Sequence, residues 1–174
     1  QARSVADSLK AMFHPVLLFA ALVTVLGYAG SFTAFTYIAP LLTDVTGVTP
    51  PTVGVFMLIY GVLAAIGNIL GGKMTDRFGA SKASIVVLGG ISLVSLLMWL
   101  LISSAVAMGV LIALLGMFSY AAVPALQARL LSVAEREAPH AFGVAAGLNI
   151  AGFNSGIAVG SVLGSITISA VGMQ

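Results

Sequence analysis

Polar and aromatic side chains recur inside the long apolar stretches of this sequence. In the first stretch most of them are three or four residues apart, so they fall on one helical face. Aromatic rings mixed with hydroxyls and amides suit a pocket for an amphipathic or moderately polar solute, although the same residues could instead pack as core. The candidate pocket residues are Thr24, Tyr28, Ser31, Phe32 and Phe35, then Tyr60 and Asn68, then Tyr120, and finally Asn149 and Asn154.

The residue types needed for covalent catalysis are missing from this pattern. No nucleophile is paired with a base, and neither a metal-ligand cluster nor a phosphate-binding loop is recognisable. The absence of cysteine excludes disulfides and cysteine-based metal sites. No acidic residue lies in the middle of an apolar stretch, and His14 and His140 lie at stretch ends, so we find no membrane-buried proton carrier. We therefore expect no catalytic residue, cofactor, metal or nucleic-acid partner.

The elements that position the candidate residues follow from composition. Of 174 residues, 60% are hydrophobic and 7% are charged, against roughly a quarter charged in soluble domains. Five stretches approach or exceed the ~20 residues that cross a bilayer as a helix, and a lipid-exposed backbone must satisfy its own hydrogen bonds. We predict an all-α membrane protein with five transmembrane helices. Residues 1–11 would end a cytoplasmic linker, and the membrane domain 12–174 would hold helices at about 12–36, 52–70, 84–101, 106–131 and 142–170.

The basic residues indicate the orientation of these helices. If each helix reverses the chain, every Lys and Arg falls on one side of the membrane, and the other side has none. Basic loops are typically cytoplasmic, which predicts a cytoplasmic N-terminus. The seven basic residues are Arg3, Lys10, Lys73, Arg77, Lys82, Arg129 and Arg136.

The charged segment from Gly71 to Lys82, predicted as a loop between the second and third helices, carries the most informative motif. Gly72 would let two helix ends approach, Gly79 would support a turn with positive φ, and Asp76 would accept hydrogen bonds from a neighbouring helix N-terminus. Such contacts would form a conformational latch. The latch candidates are Gly72, Asp76, Arg77 and Gly79, with Arg129 as an ion-pair partner for Asp76. The alternative is a solvated loop that only obeys charge topology.

Gly72, Asp76, Arg77 and Gly79 resemble, in register, the signature loop of the major facilitator superfamily. The resemblance covers nearly the whole chain and implies the C-terminal half of a transporter, with five helices of a six-helix half-bundle and the sixth absent. It further implies a bacterial inner-membrane location and, as partners, the lipid bilayer, the N-terminal six-helix half, a small-molecule substrate and a proton carried by that other half. The run FTYIAPLLTDVTG from Phe35 to Gly47, and the segment from Asn149 to Gly164, are most similar to proton-coupled sugar and drug efflux permeases related to the arabinose exporters.

Two other functions stay open at this stage. A solute importer of the same fold would share the motif, the pocket residues and the charge topology. A membrane assembly protein without a transported solute would need only the glycines of the fifth stretch, which recur at every fourth residue from Gly152 to Gly164 and allow close helix packing.

Overall fold

The computed structural model describes Lys10 and residues 12–171, and all of its long elements are helices. The five helices are α1 (Pro15–Pro40), α2 (Pro50–Phe78), α3 (Ala80–Leu100), α4 (Ala105–Glu137) and α5 (Phe142–Val171). Each is long and apolar enough to cross a membrane. The prediction of an all-α protein with five membrane-length helices is therefore confirmed. Apart from Lys10, residues 1–11 of the predicted linker lie outside the described part of the chain.

Proline and glycine set the helix ends. Pro15 starts α1 after the extended His14, and Pro50 starts α2, since a proline in the first helical turn lacks only an N–H that would be unpaired anyway. Pro40 ends α1, and a π-helical turn follows at Leu41–Val45. Gly79 alone separates α2 from α3, and its φ of 85° is the positive value that the sequence predicts.

Two segments that the sequence predicts as loops are largely helical. The segment Gly71–Lys82 is helix except at Gly79. Helix α4 continues past residue 131, where the fourth predicted helix ends, through the charged residues Glu135 and Arg136 to Glu137. Apolar character marks only the part of a helix that meets hydrocarbon. The backbone hydrogen bonds continue beyond it wherever no residue interrupts them, so α2 and α4 extend eight and six residues past their predicted ends.

The helices form two tightly packed parallel pairs. In the pair α1–α5, Gly156 lies against Val25 and Gly160 lies against Ala29. A Cβ on Gly156 would be only 2.6 Å from the Val25 carbonyl oxygen, so the glycine face in α5 is the contact surface of this pair. In the pair α2–α4, Gly71 lies against Ala121.

The two pairs meet through α1 and α4, which run in opposite directions. Arg129 of α4 reaches Ala20 near the start of α1, and Ser119 of α4 contacts Ser31 further along α1. Helix α3 packs against α4, where Ser84 donates to the Ala125 carbonyl at 3.3 Å. The order is that of an inverted repeat, in which α1 with α5 corresponds to α4 with α2.

Candidate functional site

A chain of aromatic rings crosses the middle of the bundle and joins four helices. The distance between successive ring centroids runs from 4.3 Å for Tyr28 and Phe153 to 6.5 Å for Tyr28 and Phe32. These separations allow favourable edge and offset contacts. Each ring therefore fixes the position of the next. From α5 to α4 the rings are Phe153, Tyr28, Phe32, Phe35, Tyr60 and Tyr120.

One end of this aromatic chain borders a cavity of about 540 Å³ between α1, α2 and α4. Its volume falls within the usual range for small-molecule pockets, and Asn68 gives its apolar wall an amide. Four residues predicted to form a pocket are thus brought together, namely Phe35, Tyr60, Asn68 and Tyr120. The other lining residues are Met57, Gly61, Ala64 and Ala65.

Three other predicted pocket residues lie inside the bundle. The Tyr28 ring is buried and packs edge-on against Phe153. Thr24 and Asn149 are also buried, and the Thr24 hydroxyl donates to Asn149 Oδ1 at 2.9 Å. The Asn149 amide nitrogen in turn donates to Gln127 Oε1 at 2.6 Å. These groups form a polar relay across α1, α5 and α4, and their predicted contact with a solute stays a prediction.

Three further candidates occupy different places. Phe32 is half-buried within the aromatic chain. Ser31 is buried and contacts Ser119 of α4. Asn154 is exposed, and its amide donates to the Ile150 carbonyl of its own helix at 2.9 Å. Gly152 and Gly156 of the same helix contact α1. Asn154 is two residues from each of them, which is about 200° around the helix, so it lies away from the α1–α5 interface.

The buried hydroxyl of Tyr28 has no hydrogen-bond partner within the described part of the chain, whereas the buried hydroxyl of Tyr60 interacts with the Ser119 side chain. A buried hydroxyl without a partner costs on the order of 1–3 kcal/mol. Both hydroxyls belong to the aromatic chain that borders the cavity. Tyr60 lines the cavity, and Tyr28 lies two rings away from it along the aromatic chain.

The latch candidates gather at the charged end of the bundle. Asp76 and Arg77 are exposed, and the Arg77 guanidinium lies 5.3 Å from the centroid of the Phe78 ring. Arg129 donates to the Ala20 carbonyl at 3.5 Å, and no ion pair joins it to Asp76 in the described structure. In this conformation the predicted pair is not formed, because Arg129 turns towards α1.

The close helix approach expected at Gly72 occurs one residue earlier. A Cβ on Gly72 would meet nothing within 4 Å, whereas one on Gly71 would lie 2.6 Å from the Ala121 Cα. One residue is a rotation of about 100° on a helix, so only one of two adjacent glycines can face α4. The correction moves the packing role from Gly72 to Gly71.

Sequence reasoning missed two residues of this region. Phe153 contacts Tyr28, and Gln127 accepts a hydrogen bond from Asn149. Gln127 carried a usable signal, because it is seven residues from Tyr120 and so shares its helical face. The position of Phe153 depends on how α5 pairs with α1, which its own segment does not encode.

Comparison with known proteins gives a family model that matches residues 17–174, the Major Facilitator Superfamily. The chain is 38% identical over 168 residues to the uncharacterized MFS-type transporter YtbD of Bacillus subtilis (strain 168), covering 96% of this chain and 42% of that protein. It is 36% identical to the inner membrane transport protein YdhP of Escherichia coli (strain K12), covering 95% and 41%.

A probable sugar efflux transporter of Helicobacter acinonychis (strain Sheeba) is 27% identical over 168 residues, with 93% of this chain and 40% of that protein covered. The chain therefore spans about two fifths of the length of these relatives. No solved structure matches the chain. The family model covers most of the chain, so this chain belongs to the major facilitator superfamily.

Proposed function

We propose that this chain is the C-terminal half of a proton-coupled exporter of sugars or small amphipathic compounds. The observation that carries the proposal is the cavity of about 540 Å³ beside Phe35, Tyr60 and Tyr120, with the Asn68 amide in its wall. Aromatic faces provide apolar contact for a sugar ring or a drug, and the amide provides direction through hydrogen bonding. The relatives named as sugar efflux transporters support the same substrate class.

The exposed faces of α2 support a missing partner. Only 17% of the apolar segment of α2 is buried in the chain, against 33% for α3. The face of α2 that borders the cavity is exposed and carries Gly61, Ala65 and Asn68. An amide facing lipid would be costly, so a protein partner on this side is favoured. We assign that surface to the N-terminal six-helix half.

Proton coupling would use a group outside this chain. The described acids are Asp44, Asp76, Glu135 and Glu137, which lie at or near helix ends, so none of them occupies the middle of a span. A carboxylate within the membrane is the usual proton carrier of such transporters. The proton site is therefore assigned to the other half, and residues 1–174 alone should bind solute without pumping it.

Orientation and location complete the proposal. With every basic residue of the described part of the chain at one end of the bundle, the N-terminus and the α2–α3 junction would be cytoplasmic in a bacterial inner membrane. Because the chain has no cysteine, single-cysteine variants test this cleanly. Lys73→Cys should react with an impermeant maleimide only from the inside and Ser103→Cys only from the outside. Labelling of both from one side would contradict the topology.

Solute protection tests the cavity itself. Ala65→Cys places a thiol in the cavity wall, and Val110→Cys places one on the exposed surface of α4. In lipid nanodiscs, L-arabinose or tetraphenylphosphonium should slow modification of the cavity thiol by a small maleimide and leave the control thiol unaffected. If solute changes the modification rate at neither position, the binding function is refuted and an assembly protein is favoured.

A flux assay separates the transport alternatives. Proteoliposomes that contain both halves should export solute in exchange for protons that move down their gradient, whereas an importer would move the solute in the opposite direction. Coupled export by residues 1–174 alone would refute the half-transporter proposal.

A further inference from the structure

The polar relay Thr24–Asn149–Gln127 ends on the side-chain amide nitrogen of Gln127, which takes part in neither hydrogen bond of the relay. Thr24 donates to Asn149 Oδ1 at 2.9 Å, and Asn149 Nδ2 donates to Gln127 Oε1 at 2.6 Å. The Gln127 carbonyl is therefore engaged, which leaves its amide nitrogen with two N–H donors. The described part of the chain offers this nitrogen no hydrogen-bond acceptor.

The relay holds Gln127 in a fixed orientation. Asn149 is buried, with 6% of its surface exposed, and Thr24 is 1% exposed. Both side chains use their polar groups on each other and on Gln127, so Asn149 cannot rotate without losing two hydrogen bonds. Gln127 itself is only half-buried. Because its carbonyl is held by Asn149, the half-buried Gln127 amide directs its N–H groups towards the side of α4 that no neighbouring helix covers.

The open side is the face of α4 that carries Tyr120. The other faces of α4 are occupied, with Ser119 against α1, Ala121 against α2 and Ala125 against α3. Tyr120 lines the cavity. Gln127 follows it by seven residues, which returns to the same face roughly 10 Å further along the axis. Gln127 therefore lies on the continuation of the cavity wall towards the charged end.

We propose that Gln127 is a specificity-determining residue that donates hydrogen bonds to oxygen acceptors of the transported solute. The fitting solutes carry hydroxyl, ether or carbonyl oxygens, as a sugar does. Asn149 and Thr24 act as positioning residues, because they touch Gln127 or each other and not the cavity. This inference rests on the proposed transport function. It adds a polar contact where the cavity wall continues towards the charged end of the bundle.

Cysteine accessibility tests the position of Gln127. A thiol introduced by Gln127→Cys should react with a hydrophilic methanethiosulfonate reagent, and L-arabinose should slow the reaction. The matched control is Leu130→Cys on the same helix, whose native side chain is 1% exposed and which should stay unreactive. An unreactive Gln127→Cys in a folded variant would overturn the inference.

A pair of chemically different probes tests the role in specificity, with Ala65→Cys as the reporter of binding. L-arabinose has oxygen acceptors and tetraphenylphosphonium has none. Gln127→Leu should weaken protection by arabinose about 3- to 10-fold, the effect of one lost hydrogen bond, and leave protection by tetraphenylphosphonium unchanged. Asn149→Ala should shift the arabinose value in the same direction, because the Gln127 amide loses its anchor.

The results separate the inference from the proposed function. If Gln127→Leu weakens both probes equally, or neither, Gln127 does not select oxygen-bearing solutes and the inference is wrong, while the cavity stands. If neither probe protects Ala65→Cys in the otherwise native chain, the proposed binding function fails and the inference fails with it. Size-exclusion profiles of each variant in detergent show that the comparison is between folded proteins.

Discussion

The packing of α5 on α1 leads to a sharp prediction for Gly156→Ala. The added methyl group would lie 2.6 Å from the Val25 carbonyl oxygen and 2.8 Å from the Tyr28 Cβ. Non-bonded heavy atoms settle at roughly 3.5–4.0 Å, so the two helices must separate by about 1 Å. Overpacking of this kind costs about 1–3 kcal/mol.

The matched control is Gly147→Ala in the same helix. A Cβ at this position would meet nothing within 4 Å, and replacing a helical glycine by alanine favours the helix by up to about 1 kcal/mol. Helix propensity therefore acts in the same direction in both variants, and only the contact with α1 distinguishes them.

The assay is thermal unfolding of the 174-residue chain in detergent, followed by size-exclusion chromatography of the soluble fraction. For a chain of this length, 1 kcal/mol corresponds to roughly 2–4 °C in Tm, so Gly156→Ala should lower the Tm by about 2–12 °C. Gly147→Ala should leave the Tm unchanged or raise it. Equal Tm values for the two variants would refute the close α1–α5 packing and the aromatic wall built on it.

Three further predictions use the same assay. Asn149→Leu should cost about 1–3 kcal/mol, because it leaves the buried Thr24 and the half-buried Gln127 without their partner, whereas the exposed Asn154→Leu should cost little, and equal losses would contradict the buried relay. Gly71→Ala should destabilise by about 1–3 kcal/mol and Gly72→Ala should not, so the reverse order would place the wrong face of α2 against α4. Gly79→Ala should cost about 1–3 kcal/mol, because its φ of 85° and ψ of 153° lie in a region that is essentially restricted to glycine, and an unchanged Tm would argue against the tight α2–α3 junction.

The positions of the two α5 asparagines show why sequence reasoning placed only part of the site. Asn149 and Asn154 are five residues apart, which corresponds to about 140° around the helix. Their spacing shows that they face different directions, and it does not show which direction meets α1. The structure buries Asn149 in the relay and exposes Asn154. Likewise, Gly71 and Gly72 are equivalent by type, and the position of α4 selects between them.

The sequence by itself determined that lipid surrounds most of the chain, and it determined the number of membrane-spanning helices. An apolar composition excludes a water-facing surface, and five long stretches can satisfy their backbone hydrogen bonds only as helices. The positive φ of Gly79 also followed from local chemistry. These properties depend on each segment alone, because hydrophobic transfer and backbone hydrogen bonding are local within a membrane helix.

Only the tertiary structure decided which side chains meet. The cavity draws on α1, α2 and α4, and the relay draws on α1, α4 and α5, so each depends on helix pairing between distant segments. All five helices are apolar around most of their circumference, so hydrophobicity does not distinguish a lipid face from a packed one. Close glycine contacts and buried hydrogen bonds determine which face of each helix is packed. As a result, Phe153 contacts Tyr28, and Gln127 accepts a hydrogen bond from Asn149.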